Sequence, residues 1–387
     1  MICPTCSASQ LKVFFKADAV PIFCNVLHKT VESARQAPVG DIQLGYCHAC
    51  GMIYNVAFDP QRARYAEGYE NSLHGSPHFQ AYAEQVARRL VQKYSLHDRE
   101  IVEIGSGRGE FLDLLCRYGN NHGVGYDPSA PDEVCVVPGR SFRILQEGFS
   151  EASIRENTGL ICSRHVLEHL AQPGELVSQL AAAAAKSGAA IYLEVPNGLW
   201  TLRDLGIWDI IYEHCSYFVS SSLRALLESS GLPEARIYEA FHGQFLAAES
   251  PGAAEENGER THMDTELREL GPLVERFRER YQERVDYWRG ELEQFEAEDK
   301  GVAVWGAGSK GVTFLHTVGN LKSIRCVVDI NPLKQGKFTA GSGHPVVAPE
   351  TLRHLPLERV VVMNPVYLDE ISNSLQNIGF RGEVMAV

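Results

Sequence analysis

The chain has 387 residues, 44% of them hydrophobic, with 49 acidic against 36 basic side chains and a formal net charge of -13. That length holds two or three domains, each with its own core. The acidic balance argues against a protein that wraps a nucleic-acid backbone. No apolar run approaches the ~20 residues that span a bilayer, and the first residues carry no basic-then-apolar leader, so a soluble, cytoplasmic protein without a membrane partner is expected.

The first element in chain order is a pair of Cys-x-x-Cys turns, Cys3-Pro4-Thr5-Cys6 and Cys47-His48-Ala49-Cys50. Disulfides are rare in a reducing compartment, so ordered cysteine spacing reads as metal binding. Cys3, Cys6, Cys47 and Cys50 are expected to hold a structural Zn2+ in a module over residues 1–58. Four thiolates close the coordination sphere, so the metal would hold the fold rather than do chemistry. The stretch Tyr65–Ser76, which includes Tyr69 and Ser72, is rich in tyrosine and hydroxyls and suits a lid over a sugar-like ligand. From Pro77 to Lys93, Phe79, Tyr82, Val86 and Leu90 step by three or four, the pattern of an amphipathic helix.

Within a domain expected over residues 59–250, the chain from Glu100 to about Glu249 alternates short β-branched runs with helical patterns, as a doubly wound sheet requires. Strands are expected at Ile101–Ile104, Gly123–Tyr126, Phe142–Leu145, Leu160–Cys162 and Ala190–Val195. The first ends in Glu103-Ile104-Gly105-Ser106-Gly107-Arg108-Gly109, and the second ends in Asp127. A strand, a glycine turn, a helix and an acid on the next strand end cradle an adenosine-like ligand. The Glu-x-Gly-x-Gly-x-Gly form points to S-adenosylmethionine (SAM), with Asp127 on the ribose. Ligands bind at the carboxyl ends of such strands, which places the turn carrying Phe149 and the stretch Ser163–His169, with His165 and His169, in the same site. Further on come Glu194-Val195-Pro196-Asn197 and Trp208–Phe218, the latter containing Tyr212-Glu213-His214. A glutamate beside a histidine can orient it as a general base. The plainer alternative is a satisfied core histidine with an exposed acid. His242 is a third histidine that could face the cleft.

Residues 251–297 read as a linker and a long charged helix with an apolar stripe, and residues 298–387 as a second Rossmann-like unit. There Val302–Trp305 leads into Gly306-Ala307-Gly308-Ser309-Lys310-Gly311, with Asp329 ending the next strand. Lys310, Lys334 and Lys337 could meet a pyrophosphate. The fold class is therefore α/β: an N-terminal zinc-binding module, a central Rossmann-like class I SAM methyltransferase domain and a C-terminal second Rossmann-like domain.

In combination these motifs resemble, over nearly the full length, the three-domain nucleoside-diphosphate-sugar C-methyltransferases. The resemblance rests on the four cysteines, Tyr69-Glu70-Asn71-Ser72, Glu103–Gly109, Glu194-Val195-Pro196, the stretch to Ser216-Tyr217-Phe218, His242-Gly243, Gly306–Gly311, Asp329-Ile330-Asn331-Pro332 and Asp369-Glu370-Ile371. It implies a nucleotide-linked keto-deoxysugar as the small-molecule substrate. His214 would abstract the proton, Tyr212 and Glu213 would support it, and Tyr69 and His169 would face the sugar. Ser72, Asn197 and His242 are expected against the acceptor, and Gly306, Gly308, Lys310 and Asp329 against the nucleotide. The chain departs from the family in two places. Tyr212 and Glu213 are adjacent where the family has an intervening residue, a change that turns a helical side chain by about 100°. Gln244 stands where the family has a second glycine. O-methylation of a nucleotide sugar, and an NAD-dependent sugar-nucleotide oxidoreductase or isomerase, stay open as alternatives, as do monomer and homodimer.

Overall fold

In the computed structural model, which describes residues 2–8, 11–63, 74–131, 141–251 and 263–387, the chain builds three sheets. The first begins with β1 (Leu11–Pro21) and β2 (Val39–Cys47), a long antiparallel pair, and β3 (Ile53–Asn55) adds to β2. Gly51, between the second cysteine pair and β3, sits at φ +78°; a Cβ there would stand 2.6 Å from Ser221 Oγ, so only glycine makes this turn against its neighbour.

The central unit opens with α1 (Pro77–Lys93). Ser76 caps it by accepting from Phe79 N, and Phe79, Ala83, Val86, Ala87, Leu90 and Val91 form its buried face. There follow β4 (Glu100–Ile104), α2 (Glu110–Gly119), β5 (His122–Tyr126), β6 (Phe142–Leu145), β7 (Thr158–Arg164), α3 (Pro173–Ser187) and β8 (Ala190–Pro196). The next strand, β9 (Ser216–Tyr217), leaves this unit and pairs with β3 of the first sheet. The chain then returns as β10 (Arg236–Ala240) and β11 (Phe245–Ser250). The seven strands lie in the order β10-β11-β8-β7-β4-β5-β6, and β11 alone runs against the rest. β4 and β7 are buried throughout, as a parallel sheet covered on both faces requires.

The third sheet follows α4 (Met263–Ala297), a helix of 35 residues. It contains β12 (Val302–Trp305), α5 (Ser309–Val318), β13 (Ile324–Val328), β14 (Val346–Val347), β15 (Arg359–Val362), α6 (Leu368–Asn377) and β16 (Glu383–Ala386), ordered β14-β13-β12-β15-β16 and all parallel. The apolar stripe of α4 packs in two directions. Phe277 meets Phe15 of β1 edge-on at 5.5 Å, and Trp288 meets Phe314 of α5 at 5.6 Å. The first and third sheets thus share one hydrophobic core. His28 and Phe338 also exchange backbone hydrogen bonds of 2.9 and 2.8 Å. Among the described residues no helix is long and apolar enough to cross a membrane.

Candidate active site

Residues after β4, β5, β7 and β8 and residues after β12, β13 and β15 line one continuous cavity of about 960 Å³. Each glycine turn forms one of its ends.

At the first turn Gly105, Gly107 and Gly109 all have positive φ, +71°, +53° and +79°. A Cβ on Gly105 would come within 2.2 Å of Val166 Cγ2, whereas one on Gly107 would meet nothing within 4 Å. Gly105 is there for packing, and Gly107 leaves backbone open to a ligand. Asp127 Oδ2 accepts from Gly107 N at 2.7 Å, and its Oδ1 accepts from Ser129 N and Oγ at 2.8 and 2.7 Å. Phe149 lines the wall, edge-on to Tyr126 at 5.6 Å. Glu103 is 3% exposed, and its Oε2 has no hydrogen-bond partner among the described residues. Burial is the main cause that lifts its pKa to about 8, against the opposing pull of Arg164. A carboxyl desolvated in this way awaits a cation. The ammonium of the SAM methionine end supplies one, and Asp127 suits the ribose hydroxyls, so these residues fit SAM.

Below the turn lies a buried charge network. Arg164 donates to Glu194 Oε1 through Nε at 2.9 Å and lies 2.8 Å from it through Nη2; Tyr192 donates to Oε2 at 2.8 Å, and Tyr82 donates there as well. Burial opposes the Glu194 charge, but Arg164 and His165 outweigh it and hold the carboxyl well below its usual range. His165, at φ +56°, puts Nε2 3.1 Å from Glu194 and Nδ1 3.6 Å from Glu168. Burial works against its charge too, yet the two glutamates raise it to about 9, which makes it an imidazolium at neutral pH.

Beside this network stand two neutral histidines. His169 and His214 meet edge-on, 4.8 Å between ring centroids. His169 Nδ1 lies 3.0 Å from the Glu213 carbonyl oxygen. A carbonyl only accepts, so Nδ1 carries the proton and Nε2 the lone pair. Burial pushes the pKa of both rings down, His214 furthest, because a charge on His214 would also be opposed by protonation of the adjoining His169 and by the His165 imidazolium. Ligating atoms of Glu168, His169 and His214 lie within 4.8 Å of one another, and Glu168 is 1% exposed. Neutral imidazoles beside a buried carboxylate are competent proton acceptors.

The segment before β9 divides its side chains between two faces. Ile211 and His214 line the cavity, whereas Tyr212 and Glu213 do not. The expected support of His214 by those two side chains is therefore corrected. Tyr212 is 1% exposed, accepts from Asp59 N at 3.0 Å and packs on Phe58. Glu213 Oε2 accepts from Cys24 N at 2.9 Å; the backbone carbonyl of Glu213, not its carboxylate, reaches the site. Two expected acceptor-binding residues also lie elsewhere. Asn197 caps the helix Gly198–Arg203 and donates to the Gly243 carbonyl at 2.8 Å. His242, at φ +56°, turns toward His78, 3.3 Å between their Nε2 atoms. Tyr69 and Ser72 lie outside the described residues.

At the other end of the cavity, Gly306 has φ +119°, and a Cβ on Gly311 would sit 1.9 Å from the Gly306 carbonyl oxygen. Asp329 Oδ2 accepts from Ala307 N at 2.9 Å and lies 3.6 Å from the buried Lys334 Nζ. Lys310 Nζ donates to Asp209 Oδ1 at 2.6 Å, which ties this turn to the central unit. Lys337 does not line the cavity. Between the two ends, Gln244 and Asn364 form a reciprocal amide pair at 2.9 and 3.0 Å. Asn25, from the connection between β1 and β2, completes the wall. The four cysteines pointed only to a structural metal, and nothing local in the N-terminal segment signalled that it reached the cavity.

The four cysteine sulfurs also converge. Cys3 and Cys50 Sγ are 3.7 Å apart, Cys6 and Cys47 Sγ 3.6 Å, and all four lie within 4.8 Å of one another. Zn–S bonds of about 2.3 Å place tetrahedral sulfurs about 3.8 Å apart, so the set fits zinc.

The sheet order, the open glycine turn and the desolvated Glu103 define a SAM-dependent methyltransferase. Residues 79–233 match the model of a methyltransferase domain, and residues 259–386 that of a C-methyltransferase C-terminal domain. The chain is 30% identical over 290 residues to the C-methyltransferase NovU of Streptomyces niveus, across 69% of this chain and 67% of the relative. Over about half of its length it is similar to solved methyltransferase structures, among them these two. One is magnesium protoporphyrin IX methyltransferase from Synechocystis PCC 6803 with bound SAH, at TM-score 0.34, 19% identity and coverage of 50% of this chain and 93% of that one. The other is a SAM-dependent methyltransferase from Aquifex aeolicus, at TM-score 0.36, 14% identity and coverage of 51% and 100%. The chain belongs to the C-methyltransferase family.

Proposed function

We propose that this enzyme methylates a carbon beside the ketone of a nucleotide-linked keto-deoxysugar, with His214 as the general base. The observation that carries the reading is the single cavity with a glycine turn at each end and the neutral His169–His214 pair on its wall. The name of the relative NovU supports carbon as the acceptor atom.

Bound SAM would supply an electrophilic methyl group. Glu103 would hold its ammonium, and Asp127, after the end of β5, its ribose. The Gly306–Gly311 turn and the N-terminus of α5 receive the nucleotide pyrophosphate, a position where backbone N–H groups favour anions, and Asp329 takes a ribose hydroxyl. His214, kept neutral by desolvation on the cavity wall, removes the proton from the carbon next to the ketone. The resulting enolate carbon would take the methyl group as the methyl–sulfur bond of SAM breaks, its electron pair staying on sulfur, and S-adenosylhomocysteine would leave. Glu168 stabilises the imidazolium that His214 becomes, and the Nε2 lone pair of His169 accepts the proton onward. The four cysteines hold zinc, which fastens the N-terminal turns.

The test is incubation with SAM and a panel of nucleoside-diphosphate 4-keto-6-deoxyhexoses in D2O, followed by NMR and mass spectrometry. Deuterium exchange beside the ketone and a new carbon-bound methyl are expected. Loss of both in His214→Gln by about 10²–10⁴-fold, with SAM affinity retained, is expected for a general base. An oxygen-bound methyl would overturn the reading.

A further inference from the structure

We infer that the four-cysteine module is part of the acid–base machinery: its metal fixes β3, and β3 is, among the described residues, the sole strand partner of β9, which begins two residues after His214 on the cavity wall. The inference rests on the reading of His214 as the base.

The covalent path is short. Cys47 is the last residue of β2, and the loop to Cys50 is closed by Gly51 N donating to the Cys47 carbonyl at 2.9 Å and Cys47 N donating to the Met52 carbonyl at 2.8 Å. β3 begins at Ile53, three residues after Cys50. It pairs Ile53 with Tyr217 and Tyr54 with Ser216, and Asn55 N donates to the Cys215 carbonyl at 2.8 Å. That last bond grips the residue next to His214. Cys215 Sγ in turn donates to the Glu168 carbonyl at 3.4 Å and so anchors the turn that carries Glu168 and His169. The same few residues therefore link the metal turn to all three groups of the proton-handling cluster.

Strands of three and two residues do not hold themselves together in water. β3 is held on one edge by β2, through the pairs Leu44–Asn55, Gly45–Tyr54 and Tyr46–Ile53, and at its N-terminal end by the Cys47–Cys50 turn. Cys3 and Cys6, from the far end of the chain, supply the two further sulfurs that pin it. Without metal the turn is closed only by backbone bonds, and both β3 and β9 loosen. The Glu103–Gly109 turn hangs on β4 in a different sheet, so SAM binding is left in place. A base displaced by 1 Å loses about 100-fold in rate. The module therefore positions His214 without touching the reactants.

The experiment compares the full-length enzyme with zinc, after chelation, and after zinc is restored. Four quantities are measured: SAM affinity by calorimetry, amide hydrogen exchange over residues 52–56, 214–218 and 100–104, deuterium incorporation beside the ketone, and kcat and KM for the keto sugar. Chelation is expected to leave SAM affinity and β4 protection unchanged and to lower protection in β3 and β9 by at least about tenfold. It should lower kcat and ketone-side exchange by about 100-fold with little change in KM, and zinc should restore both. Unchanged protection at residues 214–218, or loss of SAM binding together with β4 protection, would overturn the inference; the second outcome would mean that the metal merely keeps the chain folded. Zinc-loaded His214→Gln separates the two readings. Full ketone-side exchange in that variant would sink the base assignment, even if chelation still loosens β9.

Discussion

Glu103 and His214 both lie far from their ordinary protonation behaviour, in opposite senses and through the same cause. Burial keeps the Glu103 carboxyl protonated up to about pH 8 in the ligand-free protein. A bound ammonium favours the carboxylate, so SAM binding at pH 7 should release a proton. Calorimetry in buffers of different ionisation enthalpy will show it as a buffer-dependent heat that disappears in Glu103→Gln, with SAM affinity weaker by about 10- to 100-fold, the worth of a charged hydrogen bond. His214 is held below the ordinary imidazole value of about 6.5 by burial first and by His169 and His165 second. A base is active above its pKa, so kcat should stay level as pH falls through 6.5 and decline only on the acid side of that value. A rate that halves at an ordinary imidazole pKa would exclude His214 as its source.

Elements decide which of these side chains meet. Gly105 and Gly107 are two residues apart and carry different burdens. Gly105→Ala drives a Cβ into Val166 and should reduce the yield of folded protein. Gly107→Ala meets open space and should cost roughly 1–2 kcal/mol of stability for its left-handed backbone while abolishing SAM binding; thermal melting and calorimetry separate the two. The ends of β7 and β8 are joined by the fully buried Arg164–Glu194 pair. Glu194→Ala leaves a buried guanidinium unpaired and should destabilise by about 3–5 kcal/mol in a denaturant titration. The Glu194 pKa is lower folded than unfolded, so this stabilisation is full above the ordinary carboxylate range and is lost as pH falls through the folded value. The glycine turns and strands were legible in the sequence because their signals are local, a few residues of spacing with fixed backbone consequences. The facing of Tyr212 and Glu213 was not, since in a short irregular segment no period says which side chains point inward. His242 was misplaced for a similar reason: its left-handed backbone turns it out of the cleft. Gln244 and Asn364 were beyond sequence reasoning altogether, being 120 residues apart and joined only by the packing of two sheets.

At the scale of the whole molecule, three polar contacts among the described residues tie the third sheet's unit to the central one. These are the Gln244–Asn364 amide pair, Lys310–Asp209, and Glu370, which accepts from Ser76 Oγ at 2.8 Å and His78 N at 3.0 Å at the start of α1. If the amide pair acts as one unit, Gln244→Ala, Asn364→Ala and the double variant should raise the acceptor KM to nearly the same extent, a coupling of about 0.5–3 kcal/mol in a double-mutant cycle. Additive effects would show that the two amides act separately. The single cavity has one more consequence, for inhibition. Because both glycine turns line one cavity among the described residues, a molecule that tethers a SAM-like nucleoside to a nucleoside diphosphate can engage both ends at once. The second engagement is then governed by the local concentration the tether imposes, about millimolar for a short flexible one, and avidity can exceed either half's affinity by about 10²- to 10⁴-fold. Tether length thus becomes a ruler for the span across which the methyl group is delivered.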